Sequence, residues 1–426
     1  MTRFRAATTR SLDAEQAAAD LAQQLEKQGA ESSKIAGGFL LATAAAGDQA
    51  RAVGGWLGER WPEAELLGTS FEGIVGEGQV WRDEPALGLF VWEDAPNAPI
   101  PFVFARDELE VARVAGELLD AADRTLLGPS DQVLLFPDAM GSPGLPRFLE
   151  ELSVALGGAQ LAGAAASGLV GDPALAWSGE ASCRGALVGL LLPSAPLPSP
   201  SPSPVPEQES ERAAARISTA SATRSASPWL EITACRTRWV DGLEEEPPID
   251  WVRRQLGLDA RARVEPYLDR LMVRVRRSAN ASSLTELGEE EEPSETLRSS
   301  GAVAEYDEQF LIGIDARRGA ISLPGEFARG DELSLALPDA DLARQALRES
   351  VAALEPSSLV LQFSCRARDE QLHGDRDVES ALVAHHAESR ALLGTLAPFQ
   401  LGPGPAGAAR LLVYSTVLAA LGEADT

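Results

Sequence analysis

The chain has 426 residues, 45% of them hydrophobic, which is enough to bury a core in each of two or three domains and excludes a disordered protein. Its 64 acidic residues against 37 lysines and arginines give a net charge of −27, so nucleic acids and anionic membranes would be repelled over most of its surface. Three separated cysteines exclude a disulfide framework and a zinc knuckle. We expect a cytoplasmic protein with no cofactor, no metal and no membrane segment, since no leader or spanning run is present.

Helical and strand-like patterns alternate in the first half of the chain. Asp13 and Gln16 form a capping box, Leu21 and Leu25 follow at helical spacing, and Gly29 ends the pattern, which predicts a helix. Further helices are predicted near residues 53–61, 107–118 and 146–157. Period-two and short apolar runs predict strands at 38–45, 66–69, 86–92, 100–104 and 132–136.

A run in which Pro and Ser alternate, followed by a polar stretch, separates the two halves. Its composition cannot bury a core, so residues 193–227 are predicted to be a linker. A second polar segment, 278–300, contains four consecutive glutamates and is predicted to be an acidic loop. Strands are predicted at 229–235, 271–277, 303–306, 310–315, 333–337, 359–363 and 410–418, and helices near 249–256, 342–354 and 378–393.

These patterns predict a mixed α/β protein of layered helix-and-sheet units in two domains, 1–192 and 228–426. The clearest organising feature is an internal repeat. The segment Ala64-Glu-Leu-Leu-Gly-Thr-Ser-Phe-Glu-Gly-Ile-Val-Gly76 reappears 95 residues later as Ala159-Gln-Leu-Ala-Gly-Ala-Ala-Ala-Ser-Gly-Leu-Val-Gly171. Each copy follows a predicted helix and precedes another strand, so duplication of one unit is the simplest cause.

The segment Leu67-Gly-Thr-Ser-Phe-Glu-Gly-Ile-Val75 resembles the glycine turn of the FIST family, and Leu161-Ala-Gly-Ala-Ala-Ala-Ser-Gly168 resembles it again. In the second half the resemblance is sharpest at Leu361-Gln-Phe-Ser-Cys-Arg-Ala-Arg368, where the family has a strand followed by Ser-Cys-x-x-Arg and Gly. Asp369 replaces that glycine, and the glutamate and asparagine signatures expected near the end are replaced by Leu401-Gly-Pro-Gly-Pro-Ala406 and Val413-Tyr-Ser-Thr416. The resemblance implies domains of the FIST N-terminal and C-terminal types and a sensor of small ligands.

The candidate ligand-binding residues lie in the two glycine turns and at two strand ends. Polar side chains and glycine backbone in such turns can hold a ligand, although they also serve as turn caps. A guanidinium binds a carboxylate bidentately, which makes Arg368 the preferred contact for a carboxylate-bearing ligand. The candidates are Ser70, Glu72, Gly73, Asp138, Ser167, Gly168, Cys365, Arg366 and Arg368.

The resemblance therefore implies a sensory protein for signal transduction that binds an amino acid or a similar small metabolite, with a possible protein partner for signalling. We expect no catalytic residue. One alternative is a thiol-dependent hydrolase or transferase, in which His373 would fold back to activate Cys365. Another is a protein-interaction scaffold that uses the acidic loop and the linker, and that alternative predicts no closed pocket.

Overall fold

The computed structural model describes residues 2–93, 97–140, 144–169, 171–179, 181–194, 216–278, 306–387, 390–404 and 409–422. Within them the chain forms helices and mixed β-sheets, so the predicted mixed α/β class is confirmed. The chain divides into two compact units, the first comprising residues 1–221 and 343–426 and the second residues 222–342. None of the described helices combines the length and apolar character needed to cross a membrane.

The first unit begins with an α/β repeat, called repeat one. Its first helix has Asp13 as the N-cap, whose carboxylate accepts a hydrogen bond from the Gln16 backbone N–H at 2.8 Å, and Gly29 follows with φ +85°. The predicted N-cap and stop are confirmed, whereas the Gln16 side chain donates to Asp20 at 2.6 Å, so only the Asp13 half of the predicted capping box is formed. The elements of repeat one are β1 (Phe4–Thr9), α1 (Ala14–Lys27), β2 (Ile35–Thr43), α2 (Gly47–Arg60), β3 (Glu65–Phe71), β4 (Gly73–Gly76), β5 (Gln79–Arg82) and β6 (Leu87–Glu93).

Repeat two has the same order of elements. Pro146 lies in the first turn of its second helix, where a missing N–H costs nothing, and Gly157 follows that helix with φ +80°. The elements of repeat two are β7 (Ile100–Phe104), α3 (Val111–Ala121), β8 (Gln132–Pro137), α4 (Leu145–Ala155), β9 (Gln160–Ala164), β10 (Leu175–Ser178), β11 (Ala181–Arg184) and β12 (Leu187–Leu192).

A single strand, β13 (Ile217–Ser221), precedes the second compact unit. The elements of that unit are β14 (Thr223–Ser225), β15 (Leu230–Arg236), β16 (Trp239–Leu243), α5 (Pro248–Gln255), β17 (Met272–Arg276), β18 (Asp307–Phe310), β19 (Gly313–Asp315), β20 (Ala320–Ser322) and β21 (Glu332–Pro338). Its strands form one eight-stranded sheet in the order 18-17-21-15-16-20-19, with the short strand 14 beside strand 21. The unit has its own apolar core, in which Trp251 and Ile232 are fully buried.

Repeat three consists of β13 and the elements that follow the second unit. Helix α6 (Ala340–Ala352) crosses the sequence boundary between the two units. The later elements are β22 (Leu359–Cys365), α7 (Glu370–His373), α8 (Val378–His386), β23 (Ala391–Ala397), β24 (Gln400–Pro403), β25 (Ala409–Leu412) and β26 (Ser415–Leu421).

The three repeats share one strand topology. Four strands of each lie in the orders 1-6-2-3, 7-12-8-9 and 13-26-22-23, and in each the last two strands pair in parallel. The remaining hairpin of each repeat completes a neighbour's sheet: β10–β11 pairs with β3, β24–β25 with β9, and β4–β5 with β23. The predicted duplication is thus a triplication, closed by a cyclic exchange of hairpins.

All three sheets bury one face in a common apolar core. Phe136 contacts both Phe71 and Phe363, with ring centroids 5.5 Å and 5.7 Å apart, so aromatic side chains of three repeats meet there. The opposite face of each sheet is covered by its own helices, which form three separate outer clusters. Central strands buried on both faces account for the near-continuous apolar runs in the sequence.

One glycine in each repeat marks the same position. A Cβ on Gly68, Gly163 or Gly394 would lie 2.1, 1.9 or 2.0 Å from the carbonyl oxygen of the residue paired with it on the parallel strand. No side chain fits at such a separation. The third copy, Leu392-Leu-Gly-Thr395, has the same letters as Leu66-Leu-Gly-Thr69, and our sequence analysis missed it.

Several sequence predictions need correction. The predicted linker is structured at its C-terminal end, because 217–221 pairs with β26 and 223–225 pairs with β21. The predicted helix at 378–393 ends at His386, since its last residues belong to β23, and the predicted strand at 410–418 is two strands separated by a turn with Tyr414 at φ +48°. Residues 195–215 and 279–305, with most of the acidic loop and the strand predicted at 303–306, lie outside the described residues.

The compact units do not follow the predicted domain division. Residues 343–426 pack with the N-terminal part because their strands complete its sheets and share its core. The boundaries 1–192, 193–227 and 228–426 stay predictions for the extent of the family domains.

Candidate functional site

The three repeats bring three equivalent strand ends together around the common core. These ends are Thr43, the last residue of β2, Asp138, the residue after β8, and Cys365, the last residue of β22. Each lies three residues after the residue that pairs with Gly68, Gly163 or Gly394 on the neighbouring parallel strand. All three side chains are buried. The carboxyl ends of parallel strands are where α/β folds place ligand contacts, so these positions define the candidate site.

The two glycine turns predicted from the sequence meet directly. The Ser70 hydroxyl donates to the carbonyl oxygen of Ser167 at 2.8 Å, and the Ser167 N–H donates to the carbonyl oxygen of Ser70 at 2.7 Å. The Leu175 N–H donates to the Ser70 hydroxyl at 3.0 Å. The polar atoms of Ser70 are therefore occupied within the protein, whereas the buried hydroxyl of Ser167 has no hydrogen-bond partner among the described residues.

Gly168 and Gly73 are required by close backbone approach. A Cβ on Gly168 would lie 2.4 Å from the carbonyl oxygen of Pro173, and one on Gly73 would lie 3.0 Å from that of Trp81. Both glycines therefore serve the packing of the turns themselves.

Asp138 is held between the two ends of the β10–β11 hairpin. One carboxylate oxygen accepts the N–H of Ala174 at 2.9 Å, just before β10. The other oxygen faces Gly185, just after β11, where a Cβ would be 3.5 Å from it. That second oxygen is buried and has no partner within the described part of the chain. Thr43, at the equivalent position, has its hydroxyl bonded to both Glu84 and Ala86.

Asp138 is one of the residues that line a small cavity. Its volume is about 10 Å³, room for roughly one water molecule. Asp138 is the one ionisable side chain among the described residues that line it, and the others are apolar or glycine. They are Leu109, Pro137, Leu145, Phe148, Gly185, Ala186 and Leu187.

Glu72 and Arg366 form an ion pair beside these turns. Arg366 Nη1 lies 2.8 Å from Glu72 Oε1, and the arginine side chain is half-exposed. The second carboxylate oxygen of Glu72 is buried and has no described partner. Three of the residues predicted from the sequence, Glu72, Asp138 and Ser167, therefore each have one buried side-chain oxygen without a hydrogen-bond partner among the described residues.

Arg368 is placed differently. It is fully buried, its Nη2 lies 2.7 Å from Glu379 Oε1, and its Nη1 donates to the carbonyl oxygens of Ala220 and Tyr414. Burial opposes ionisation of Glu379, but the Arg368 charge and the hydrogen bonds from His373 and Arg368 outweigh it and lower the pKa of this carboxyl. The Nε also donates to Glu379 Oε1 at 2.9 Å, and Nη2 is the one guanidinium nitrogen without a well-aligned hydrogen bond to a described residue. The expectation that Arg368 holds a ligand's carboxylate does not fit a guanidinium buried against Glu379, so Arg368 is not among the contacts proposed below.

Cys365 and His373 do not form a catalytic pair here. The thiol is fully buried and lies 3.8 Å from the carbonyl oxygen of Pro398, and burial raises its pKa against the arginines and backbone N–H groups nearby. Both ring nitrogens of His373 face other groups, Nε2 at 2.9 Å from Glu379 and Nδ1 at 3.4 Å from Arg344. A neutral thiol without a base beside it is a poor nucleophile.

Glu379, the partner that fixes the role of Arg368, was not among the residues predicted from the sequence. Its local signal is weak, because apolar residues lie all round α8, and Glu379 stands only one helical turn before the buried Val383. Among the described residues, no group of three or more His, Cys, Asp and Glu side chains is arranged to hold a metal ion.

Comparison with known proteins agrees with the first half of the sequence prediction. Residues 36–201 match the family model of the FIST N domain, so the resemblance read from the glycine turns is confirmed there. The resemblance of the second half to a FIST C-terminal domain stays a prediction. No curated protein matches the sequence.

Two solved structures of cyanuric acid hydrolase are similar to the chain over its whole length. The enzyme from A. caulinodans is 11% identical with a TM-score of 0.32, covering 99% of both chains. A second, described as an evolutionary innovation by structural concatenation, is 10% identical with a TM-score of 0.29, covering 99% of this chain and 100% of that one. Neither likeness assigns a substrate or an activity to this chain.

Proposed function

We propose that this protein, which carries a FIST N domain, binds a small metabolite at the strand ends of repeats one and two. FIST domains form a family of small-ligand sensors. The observation that carries the proposal is the buried, unpartnered oxygen of Asp138 beside an apolar cavity. An unpaired buried carboxylate oxygen is costly, and a ligand that donates to it would recover that cost.

The charges around the turns suit an amino acid or a similar zwitterion. Asp138 and Glu72 offer oxygens to a positively charged group, and the half-exposed Arg366 offers a guanidinium to a carboxylate. Ser167 adds a hydroxyl that can donate or accept. We propose Glu72, Asp138, Ser167 and Arg366 as ligand contacts, and Ser70, Gly73 and Gly168 as the residues that shape the turns.

Binding rather than catalysis is the activity we propose. The buried thiol of Cys365 supports this because it has no imidazole nitrogen against it. We further propose that the protein works in the cytoplasm, where its free cysteines stay reduced, and passes the binding event to a protein partner.

The test compares two buried aspartates that flank the same strand, β8. Asp138→Asn keeps the oxygen that accepts from Ala174 and removes the charge that would hold the ligand. Asp131→Asn is the matched control, because that carboxylate is satisfied by Arg124, Gly128 and Ser194. Thermal unfolding is measured for the wild type and both variants against a panel of amino acids, organic acids and amines.

Saturating ligand stabilises the folded protein by about 2.7 kcal/mol at a hundredfold excess over Kd. We expect a ligand that stabilises the wild type and Asp131→Asn by the same increment and leaves Asp138→Asn unshifted. A panel without any stabilising compound, or a ligand that shifts Asp138→Asn as much as the wild type, would contradict the proposed site.

A further inference from the structure

The cavity beside Asp138 also limits the chemistry of the group that enters it. We infer that it takes the primary ammonium group of a ligand whose adjoining carbon chain is apolar, and that this group, not a carboxylate, anchors the ligand. The inference rests on the proposed binding function and names its ligand class. It follows from the size of the cavity, the charge of its single ionisable group and the character of its walls.

Size excludes the larger cationic groups. A volume of about 10 Å³ accommodates one water-sized group. An ammonium nitrogen meets that limit, whereas a planar guanidinium or an imidazolium ring does not. The half-buried Leu109 and Phe148 bring the cavity close to the surface, so N–H groups that do not reach Asp138 stay hydrated.

Charge excludes an anionic group. Asp138 is the one ionisable side chain among the described lining residues, so a ligand carboxylate would meet a like charge with no cation lining the cavity. A neutral hydroxyl could donate to the free oxygen, but a charge-assisted hydrogen bond is about twice as strong. The carboxylate is held in place because its other oxygen accepts from the Ala174 backbone.

The walls specify the rest of the ligand. Because the cavity holds only one water-sized group, the adjoining carbons of the ligand lie outside it, against the half-buried Leu109 and Phe148. A methylene chain or a branched alkyl group would bury apolar surface there, whereas a second polar group would be desolvated without a partner. The class is therefore an alkyl or arylalkyl ammonium.

The experiment uses isosteres bound to the full-length protein and followed by calorimetry. The probes are 3-methylbutylamine, 3-methylbutan-1-ol, 3-methylbutanoate and methylamine. We expect 3-methylbutylamine to bind at least about tenfold more tightly than the alcohol, as charge assistance predicts, and 3-methylbutanoate not to compete with it. Asp138→Asn should remove most of the preference for the amine and leave the affinity for the alcohol within about threefold.

A second variant keeps the test decisive if Asp138→Asn does not fold. Phe148→Ala removes a half-buried ring from the wall, and it should weaken 3-methylbutylamine several-fold while leaving methylamine unchanged. Tighter binding of 3-methylbutanoate than of the amine would overturn the ammonium inference and leave the proposed function standing. If no compound of any class stabilises the wild type, the proposed function itself fails.

Discussion

Replacing Arg368 by methionine should test whether this arginine holds the fold or a ligand. The change removes a fully buried guanidinium and leaves Glu379 buried without its main counter-charge. Breaking one side of a buried ion pair costs about 3–5 kcal/mol. Two carbonyl oxygens, those of Ala220 and Tyr414, lose a donor at the same time. We therefore expect the free energy of unfolding to fall by about 4 kcal/mol.

The chain offers a matched control two residues away. Arg366 is the same residue type but half-exposed, with one ion pair to Glu72, so Arg366→Met should cost less than about 1 kcal/mol. Urea unfolding followed by tryptophan fluorescence and far-UV circular dichroism gives both values. A double variant, Arg368→Met with Glu379→Met, should lose less stability than the sum of the two single variants, because no lone charge stays buried.

The pH dependence gives a second readout. In the wild type the lowered pKa of Glu379 means that its contribution is present above the ordinary value of 4.5 and is lost as the pH falls through the folded-state pKa. In Arg368→Met, burial should raise that pKa, so the cost is largest at neutral pH and shrinks as Glu379 takes up a proton. If Arg368→Met were as stable as Arg366→Met at pH 7 but no longer bound ligand, Arg368 would be a ligand contact and our assignment would be refuted.

Three further predictions concern packing, reactivity and acid stability. Gly394→Ala should lower the free energy of unfolding in urea by more than about 3 kcal/mol, because the new Cβ would collide with the Gln362 carbonyl oxygen. The control is Gly116→Ala on α3, where a Cβ meets no neighbour, and it should be neutral or slightly stabilising. Cys365 should stay unmodified by a thiol reagent in the native protein and react fully in urea, as peptide mass spectrometry would show, because burial raises its pKa. Burial opposes ionisation of Asp131, but hydrogen bonds from backbone N–H groups and the Arg124 charge outweigh it and lower the pKa of this carboxyl. The stability lost on Asp131→Asn should therefore shrink as the pH falls below 3.8. A difference in unfolding free energy between wild type and variant that does not change with pH would contradict this.

Local pattern was enough to predict most helices and strands, because their burial follows the periodicity of the apolar residues. The repeat was also readable, but only two of its three copies were found. The third begins at β13 and resumes at α6, and the residues of the second compact unit interrupt the spacing between them. A search for Leu-Leu-Gly-Thr alone, without a fixed period, would have found it at Gly394.

The candidate site was predicted in part. Turn residues such as Ser70 and Ser167 were singled out by composition, and the structure joins them by hydrogen bonds. The role of Arg368 could not be read from its motif, because its partner Glu379 lies on a later helix and only the fold brings them together. Whether a side-chain oxygen is free, as in Asp138, depends on every neighbour and has no local signal.

Because the hairpins are exchanged between repeats, an early hairpin must wait for a strand that is synthesised late. Hairpin β4–β5 is made early, but its partner strand β23 is among the last to leave the ribosome. Until then Ile74 and Trp81, both buried in the finished core, have no complete surface to cover them. An exposed apolar hairpin of this kind favours association with other nascent chains until β23 is made.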